Sequence, residues 1–152
     1  MEYENLLGEA EHLGLYVCEK NIKGNIKGLY HGKTVLLNKS IETHTDKYCI
    51  LAEEIGHFYT SKGNITNQNE LSNIKQEKQA RRWAYEKLIP LSKILKAHQL
   101  NINGKFELIE FFGVTESFLN CAIQYYKDKY GTHTKYDEYI IYFEPLNVVK
   151  SE

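Results

Sequence analysis

Residues 51–57 read Leu-Ala-Glu-Glu-Ile-Gly-His, and this stretch determines which fold and which chemistry the chain can support. It follows residues 43–46, Thr-His-Thr-Asp, a cluster of the residue types that begin helices. The apolar residues after that cluster recur at helical spacing, so the stretch is predicted to lie on a helix. Positions i and i+4 of a helix point the same way, so Glu53 and His57 are expected to project side by side, with Glu54 adjacent.

This layout is the one that a metal-dependent hydrolase needs. Two ligands one turn apart can hold a cation, and a carboxylate beside them can take a proton from water. The usual pattern is His-Glu-x-x-His, whereas this chain has Glu53 in the first place. The reduced pattern is weak by itself, and the alternative is an exposed acidic patch with His57 as a surface residue. Gly56 leaves bare backbone beside His57, which predicts the close approach of another element.

A third ligand is available about 20 residues further along, in a second predicted helix. Glu77 shares a face of that helix with Ala80 and Ala84, and small residues allow two helices to pack closely. Such packing would bring Glu77 toward the first motif. The alternative is a solvated carboxylate that pairs with Arg81 at i+4.

The remaining pattern predicts an α+β protein with a small antiparallel sheet near its start and helices after it. A hairpin turn at His31-Gly32 precedes the best strand, residues 33–38, and a closing strand at residues 139–143 is followed by a fraying tail. The other predicted elements are a helix at 2–13, a strand at 13–18, a helix at 71–89 stopped by Pro90, a helix after Pro90, and helices at 106–112 and from Thr115 to Gly131. This order of elements predicts two regions, a core at 1–90 and a helical extension at 91–152. The extension is expected to pack on the core as one unit.

Composition and charge limit which cellular compartment and which classes of partner are expected. The formal net charge of −1 gives no general electrostatic reason to bind nucleic acid or an anionic membrane. We find no leader-like apolar segment at the start and no apolar run long enough to span a bilayer. Three widely spaced cysteines form no disulfide framework, so the cytoplasm is the expected location.

Residues 106–130 have the outline of a helix-turn-helix, which raises the question of DNA binding. Between Asn101 and Gly131 the chain has three lysines against four acidic residues. Little there would neutralise phosphates, so direct nucleic-acid binding is not expected. A helical subdomain that packs on the core or docks a protein partner is the better interpretation.

Several segments together resemble one known family. Residues 51–57 are similar to the Leu-Ala-His/Glu-Glu-Leu-Gly-His segment of the ImmA/IrrE metallo-endopeptidases. Residues 77–84, followed by Leu88-Ile89-Pro90, resemble that family's Glu-x-x-Ala-x-x-Phe-Ala-x-x-Leu-Leu-x-Pro helix. Residues 113–118 and 142–146 resemble the short members found in phages and mobile elements, so the resemblance covers nearly the whole chain.

The resemblance implies a minimal zincin-like core, a C-terminal helical, helix-turn-helix-like subdomain, and a cytoplasmic zinc-dependent endopeptidase. By position it implies Glu53, His57 and Glu77 as metal ligands and Glu54 as the general base. Relatives of this type cleave or otherwise inactivate a helix-turn-helix repressor and so switch on prophage or mobile-element genes. A repressor of that kind is therefore the expected protein partner.

Glu53 is the departure from the two-histidine pattern. Two carboxylates and a neutral His57 would cancel the +2 charge of the ion, so the site should be less Lewis-acidic than a His-His-Glu site. Two oxygen ligands also shift the metal preference toward harder ions such as Mn²⁺. Glu53 equally favours an alternative from another class, a non-catalytic interaction protein on the same scaffold that sequesters a repressor or host factor.

Overall fold

The computed structural model describes residues 2–60 and 70–151, apart from the side chains of residues 70–72. These residues form six helices and two three-stranded sheets, which confirms the predicted α+β class. The chain divides into two compact units between Ala84 and Tyr85. The predicted split at residue 90 and the packing of the two regions as one unit stay predictions.

The first unit contains the sheet and the two helices that carry the motifs. Its elements are α1 (Glu2–His12), β1 (Tyr16–Lys20), β2 (Gly28–His31), β3 (Thr34–Asn38), α2 (His44–Thr60) and the part of α3 (Glu70–Leu88) that ends at Ala84. Apart from β2, for which the sequence predicted only the hairpin turn that follows it, each element corresponds to a predicted one with its ends shifted by a few residues. The predicted end of α2 at Ser61-Lys62-Gly63 and the polar loop at 64–69 lie outside the described residues.

The first sheet corrects the prediction of an antiparallel arrangement. Its order is β1-β3-β2, with β2 antiparallel to β3 but β1 parallel to it, so that Tyr16 pairs with Thr34. Strand β2 lies between β1 and β3 in sequence, and it forms a hairpin with β3 whose turn begins at Gly32, at a φ of 63°. Strand β3 is central, so β1 and β2 are both hydrogen-bonded to it, and β2 forms an edge of the sheet.

The core of the first unit lies between the sheet and the helices α1 and α2. Val35 and Leu37 alternate onto the buried face of β3 and are fully inaccessible to solvent. Apolar side chains from the two helices complete this core at Leu6, Leu51 and Ile55, all at most 2% exposed. Removing this much apolar surface from water is the main force that holds α2 on the sheet.

The second unit is less purely helical than predicted. It contains α4 (Leu91–Gln99), α5 (Lys105–Phe112), α6 (Glu116–Tyr130) and an antiparallel sheet of β4 (His133–Tyr136), β5 (Tyr139–Phe143) and β6 (Leu146–Lys150). The predicted closing strand is β5, the centre of that sheet. The prediction of a fraying tail is wrong, because residues 146–150 form β6 and bury Val148 against the unit.

The helix-turn-helix outline of the second unit is confirmed by its caps. Gly113 ends α5 in the left-handed region, at a φ of 71°. The hydroxyl of Thr115 then accepts a hydrogen bond from the backbone N–H of Phe118, at 3.1 Å, and begins α6. A three-residue connection therefore joins α5 to α6, as the sequence predicted.

Candidate metal centre

Helices α2 and α3 bring two of the predicted ligands together. Nε2 of His57 lies 3.3 Å from Oε1 of Glu77, although the residues are 20 positions apart in sequence. The His57 side chain is 16% exposed and that of Glu77 is 53% exposed, so the pair lies where the contact between α2 and α3 reaches the protein surface. Glu77 therefore has a partner on the other helix, as the metal-site interpretation requires.

The close approach predicted at Gly56 is confirmed, and it explains why the pair can form. Gly56 is buried on α2 against the backbone of α3 at Ala80. Ala80 and Ala84, the small residues predicted to face the first motif, are both fully buried. Side chains larger than these would hold the two helix backbones further apart.

Glu54 is a buried carboxyl with an unsatisfied oxygen. The residue is 9% exposed, and its Oε2 atom is buried without a hydrogen-bond partner among the described residues. Burial, with smaller contributions from the charges of Glu77 and Glu53, raises the pKa of Glu54 to about 7. Its proton affinity is therefore suited to taking and returning a proton near neutral pH.

Glu53 lies in the same electrostatic environment. Burial is the largest cause that raises the pKa of its carboxyl, and the charge of Glu77 raises it further, whereas Arg81 and Lys27 act in the opposite direction. Three carboxyl groups, those of Glu53, Glu54 and Glu77, are thus near enough to oppose one another's ionisation. A cation among them would relieve that repulsion.

The described residues stop short of a complete ligand set. Within residues 2–60 and 70–151, no three side chains of His, Cys, Asp or Glu converge at metal-binding distance. His57 and Glu77 are joined, while Glu53 is linked to Glu77 through its charge rather than through a contact. The donor types nevertheless suit a divalent ion, with one imidazole nitrogen and carboxylate oxygens on two adjacent helices.

Two other residues near the motif in sequence, His44 and Tyr59, lie away from the joined pair. His44 begins α2, 13 residues before His57, which is about 20 Å along the helix. Its ring packs edge-on against Tyr3, with ring centroids 5.7 Å apart, so it is placed as a structural residue. Tyr59 recurs at the helical spacing of the apolar residues of α2, which predicts a core position, but it is 39% exposed and its ring stacks on Trp83, with centroids 5.0 Å apart.

Gly28 is a contributor that the sequence pattern did not single out. A Cβ at this position on β2 would lie 3.2 Å from Cγ of Glu54 and 2.9 Å from Cγ2 of Ile50. The strand therefore passes directly over the buried glutamate. The available signal was a glycine inside a run of β-forming residues, which often marks a close approach of backbone.

A small sheet packed against a helix that carries Glu-Glu-x-x-His defines a zincin-like fold of the metallopeptidase class. The sequence model of peptidase family M78, the IrrE N-terminal-like domain, matches residues 10–124, and the chain belongs to this family. This match confirms the resemblance that residues 51–57 and 77–90 indicated. Comparison with curated proteins found no match.

Among the described residues, every helix is too short or too polar to cross a membrane.

Proposed function

We propose that this protein is a metal-dependent endopeptidase whose centre consists of Glu53, Glu54, His57 and Glu77. The observation that carries the proposal is the 3.3 Å approach of His57 Nε2 to Glu77 Oε1 across two helices. Family membership makes a peptidase the expected class of activity. The proposed roles are those of ligand for Glu53, His57 and Glu77, and of general base for Glu54.

The side chains at the centre fit a divalent cation chemically. An imidazole and two carboxylates supply borderline and hard donors that suit Zn²⁺, and the oxygen majority also suits Mn²⁺. The buried, unpartnered Oε2 of Glu54 needs a polar neighbour that the described protein residues do not provide. A bound ion with its water would satisfy both the clustered carboxylates and this oxygen.

When bound, the cation would supply Lewis acidity toward a peptide carbonyl. The proton transfers fall to Glu54, which would accept a proton from water and return it to the leaving amine. Burial keeps bulk water from competing for that carboxyl. A ligand must offer a lone pair that carries no proton, so metal binding competes with protonation of the ligand side chains.

The proposed substrate is a helix-turn-helix repressor of a prophage or mobile element, cleaved in the cytoplasm. Support for this substrate comes from the resemblance of residues 113–118 and 142–146 to short phage-type relatives. Inactivation of the repressor would then release the genes it silences. Direct binding to nucleic acid is not part of the proposal.

The decisive experiment incubates the purified protein with the repressor-like product of an adjacent gene, with and without a chelator. Fragments that appear only without chelator, and that return after zinc or manganese is restored, are the expected result. Glu54→Gln should retain the fold and the metal but yield no fragments. Fragments from that variant at the wild-type rate would show that Glu54 is not the base.

One observation favours a second function, a non-catalytic protein that sequesters a repressor or host factor. Glu53 stands in the first position of the motif, where the usual pattern has a histidine. In that case the same incubation would yield a stable complex with an intact partner, and chelator would not change it. A gel would show whether the partner is cleaved or intact, and size-exclusion chromatography would show whether a stable complex forms.

A further inference from the structure

The loop before β2 is fixed by a single buried asparagine. Asn38 is 4% exposed, and its Nδ2 atom donates hydrogen bonds to the carbonyl oxygens of Ile22, at 3.0 Å, and Ile26, at 2.8 Å. The backbone N–H of Asn38 also donates to the carbonyl oxygen of Lys27, at 2.8 Å. The residue immediately after Lys27 is Gly28, so its position is set by the end of the central strand β3.

Gly28 in turn lies against the buried glutamate. A Cβ at Gly28 would lie 3.2 Å from Cγ of Glu54, tighter than nine in ten real Cβ contacts, and 2.9 Å from Cγ2 of Ile50, closer than real Cβ atoms come. The space that a Cβ would need is therefore taken by the Glu54 and Ile50 side chains. Any larger residue at 28 must displace one of them or lift the strand.

We propose that Gly28 is a positioning residue for Glu54, with Asn38 as the anchor that holds Gly28 in place. The bare backbone of β2 acts as a lid over one side of the carboxyl and limits its rotamers. The consequence for catalysis rests on the proposed function, because a general base must be held within hydrogen-bond reach of its proton donor. The positioning itself is a property of the folded chain and can be tested without any substrate.

The test is a double-mutant cycle measured by thermal unfolding of the full-length protein in chelator. Gly28→Ala should lower Tm by at least about 3 °C, since it forces an extra carbon into filled space. In the Glu54→Ala background, which removes Cγ and Cδ, the same change should lower Tm by less, because only the clash with Ile50 remains. An Ile50→Ala background separates the other contact, and part of the loss should persist there.

A spectroscopic readout distinguishes positioning from a general loss of stability. In protein labelled with ¹³C-glutamate, the carboxyl resonance that disappears in Glu54→Gln belongs to Glu54. Gly28→Ala should move that resonance at temperatures well below its Tm, whereas Gly8→Ala, where a Cβ meets open space, should leave it unchanged. Asn38→Ala should also move it, because the loop that holds Gly28 loses its hydrogen bonds to the Asn38 side chain.

Equal Tm losses from Gly28→Ala with and without the Glu54 side chain would overturn the proposal, as would an unmoved carboxyl resonance. A loss that vanishes entirely in the Ile50→Ala background would show that Gly28 serves packing against Ile50 alone. None of these outcomes depends on proteolysis. A failure of the peptidase proposal would therefore show separately, in the cleavage assay.

Discussion

A Cβ added to Gly56 would lie 2.3 Å from the carbonyl oxygen of Ala80, so the backbones of α2 and α3 touch at this point. His57 follows Gly56 directly, and Glu77 lies three residues before Ala80. The contact therefore sits beside the pair whose nitrogen and oxygen are 3.3 Å apart. One residue without a side chain thus sets the spacing of two proposed ligands.

Gly56→Ala should be strongly destabilising and should also weaken metal binding. The new methyl would clash with backbone that has no rotamer to adopt, and such overpacking costs about 2 kcal/mol or more. Urea unfolding and isothermal titration with Zn²⁺ would measure the two effects. Gly8→Ala is the matched control, because it lies on a helix with open space around its Cβ and should stabilise by about 0.5–1 kcal/mol.

Much of the contact between α2 and α3 could be predicted from sequence, because it depends on the spacing and size of residues within each helix. The small residues at Ala80 and Ala84 marked the contacting face of α3, and both are fully buried. That Glu53 and His57 project side by side, as their i, i+4 spacing predicts, stays a prediction. The surroundings of Tyr59, on another side of α2, were harder to predict. Tyr59 follows His57 by about 200° around the helix, so it reaches the opposite flank and meets Trp83 instead of the core.

The sheet and the buried base were less predictable, since both depend on contacts between distant segments. Consecutive short strands favour antiparallel pairing, and no local pattern in β1 indicates that it pairs in parallel with β3, with β2 between them in sequence. The raised pKa of Glu54 likewise comes mainly from burial, and one residue that lies against its side chain, Gly28, is 26 residues earlier in sequence. In β6, an exposed Val149 and a half-buried Leu146 left only a weak strand pattern.

Stability without metal should fall as the pH rises through neutrality. Glu54 has a pKa of about 7 when folded, against 4.5 for an ordinary glutamate, so the folded state binds the proton more tightly. The resulting stabilisation is complete below about pH 4.5 and lost above about pH 7, and it amounts to about 3 kcal/mol. Urea unfolding in chelator across this range would show the decline.

Glu54→Gln is the control for that pH dependence. The amide cannot ionise, so most of the decline should disappear, and a smaller one should remain because burial also raises the pKa of Glu53. Saturating zinc should remove or reverse the slope, since a nearby cation favours the ionised carboxyls. An unchanged slope in Glu54→Gln would place the responsible group elsewhere.

Asn38→Ala should destabilise the first unit by about 3 kcal/mol, because three hydrogen bonds of a buried side chain are lost together. The side chain donates to Ile22 and Ile26 and accepts from the N–H of Ser40 at 3.0 Å. Chemical denaturation would measure the change. Asn25→Ala, at an exposed position of the same loop, should change stability by less than about 0.5 kcal/mol.

Removing either joined ligand should weaken binding of Zn²⁺ or Mn²⁺ by at least about 100-fold, since even outer-shell changes cost about 10–100-fold. His57→Ala and Glu77→Ala test this, with metal content after chelator-free purification and titration calorimetry as measurements. Glu4→Ala, on the exposed side of α1, is the control and should bind as the wild type does. Wild-type affinity in both ligand variants would exclude the proposed centre.

Glu53→His should turn the site toward the two-histidine form and reveal what the glutamate does. Replacing one carboxylate raises the net charge of the loaded site from 0 to +1, which strengthens its Lewis acidity. Zinc should then bind more tightly relative to manganese, because a second imidazole replaces an oxygen donor. Competition titrations with both metals would measure the preference, and the repressor assay would compare cleavage rates. If the variant gains zinc selectivity and cuts faster, Glu53 is a ligand that moderates an active site. If it gains metal without any cleavage by either protein, the scaffold serves binding, and the sequestration function is the correct one.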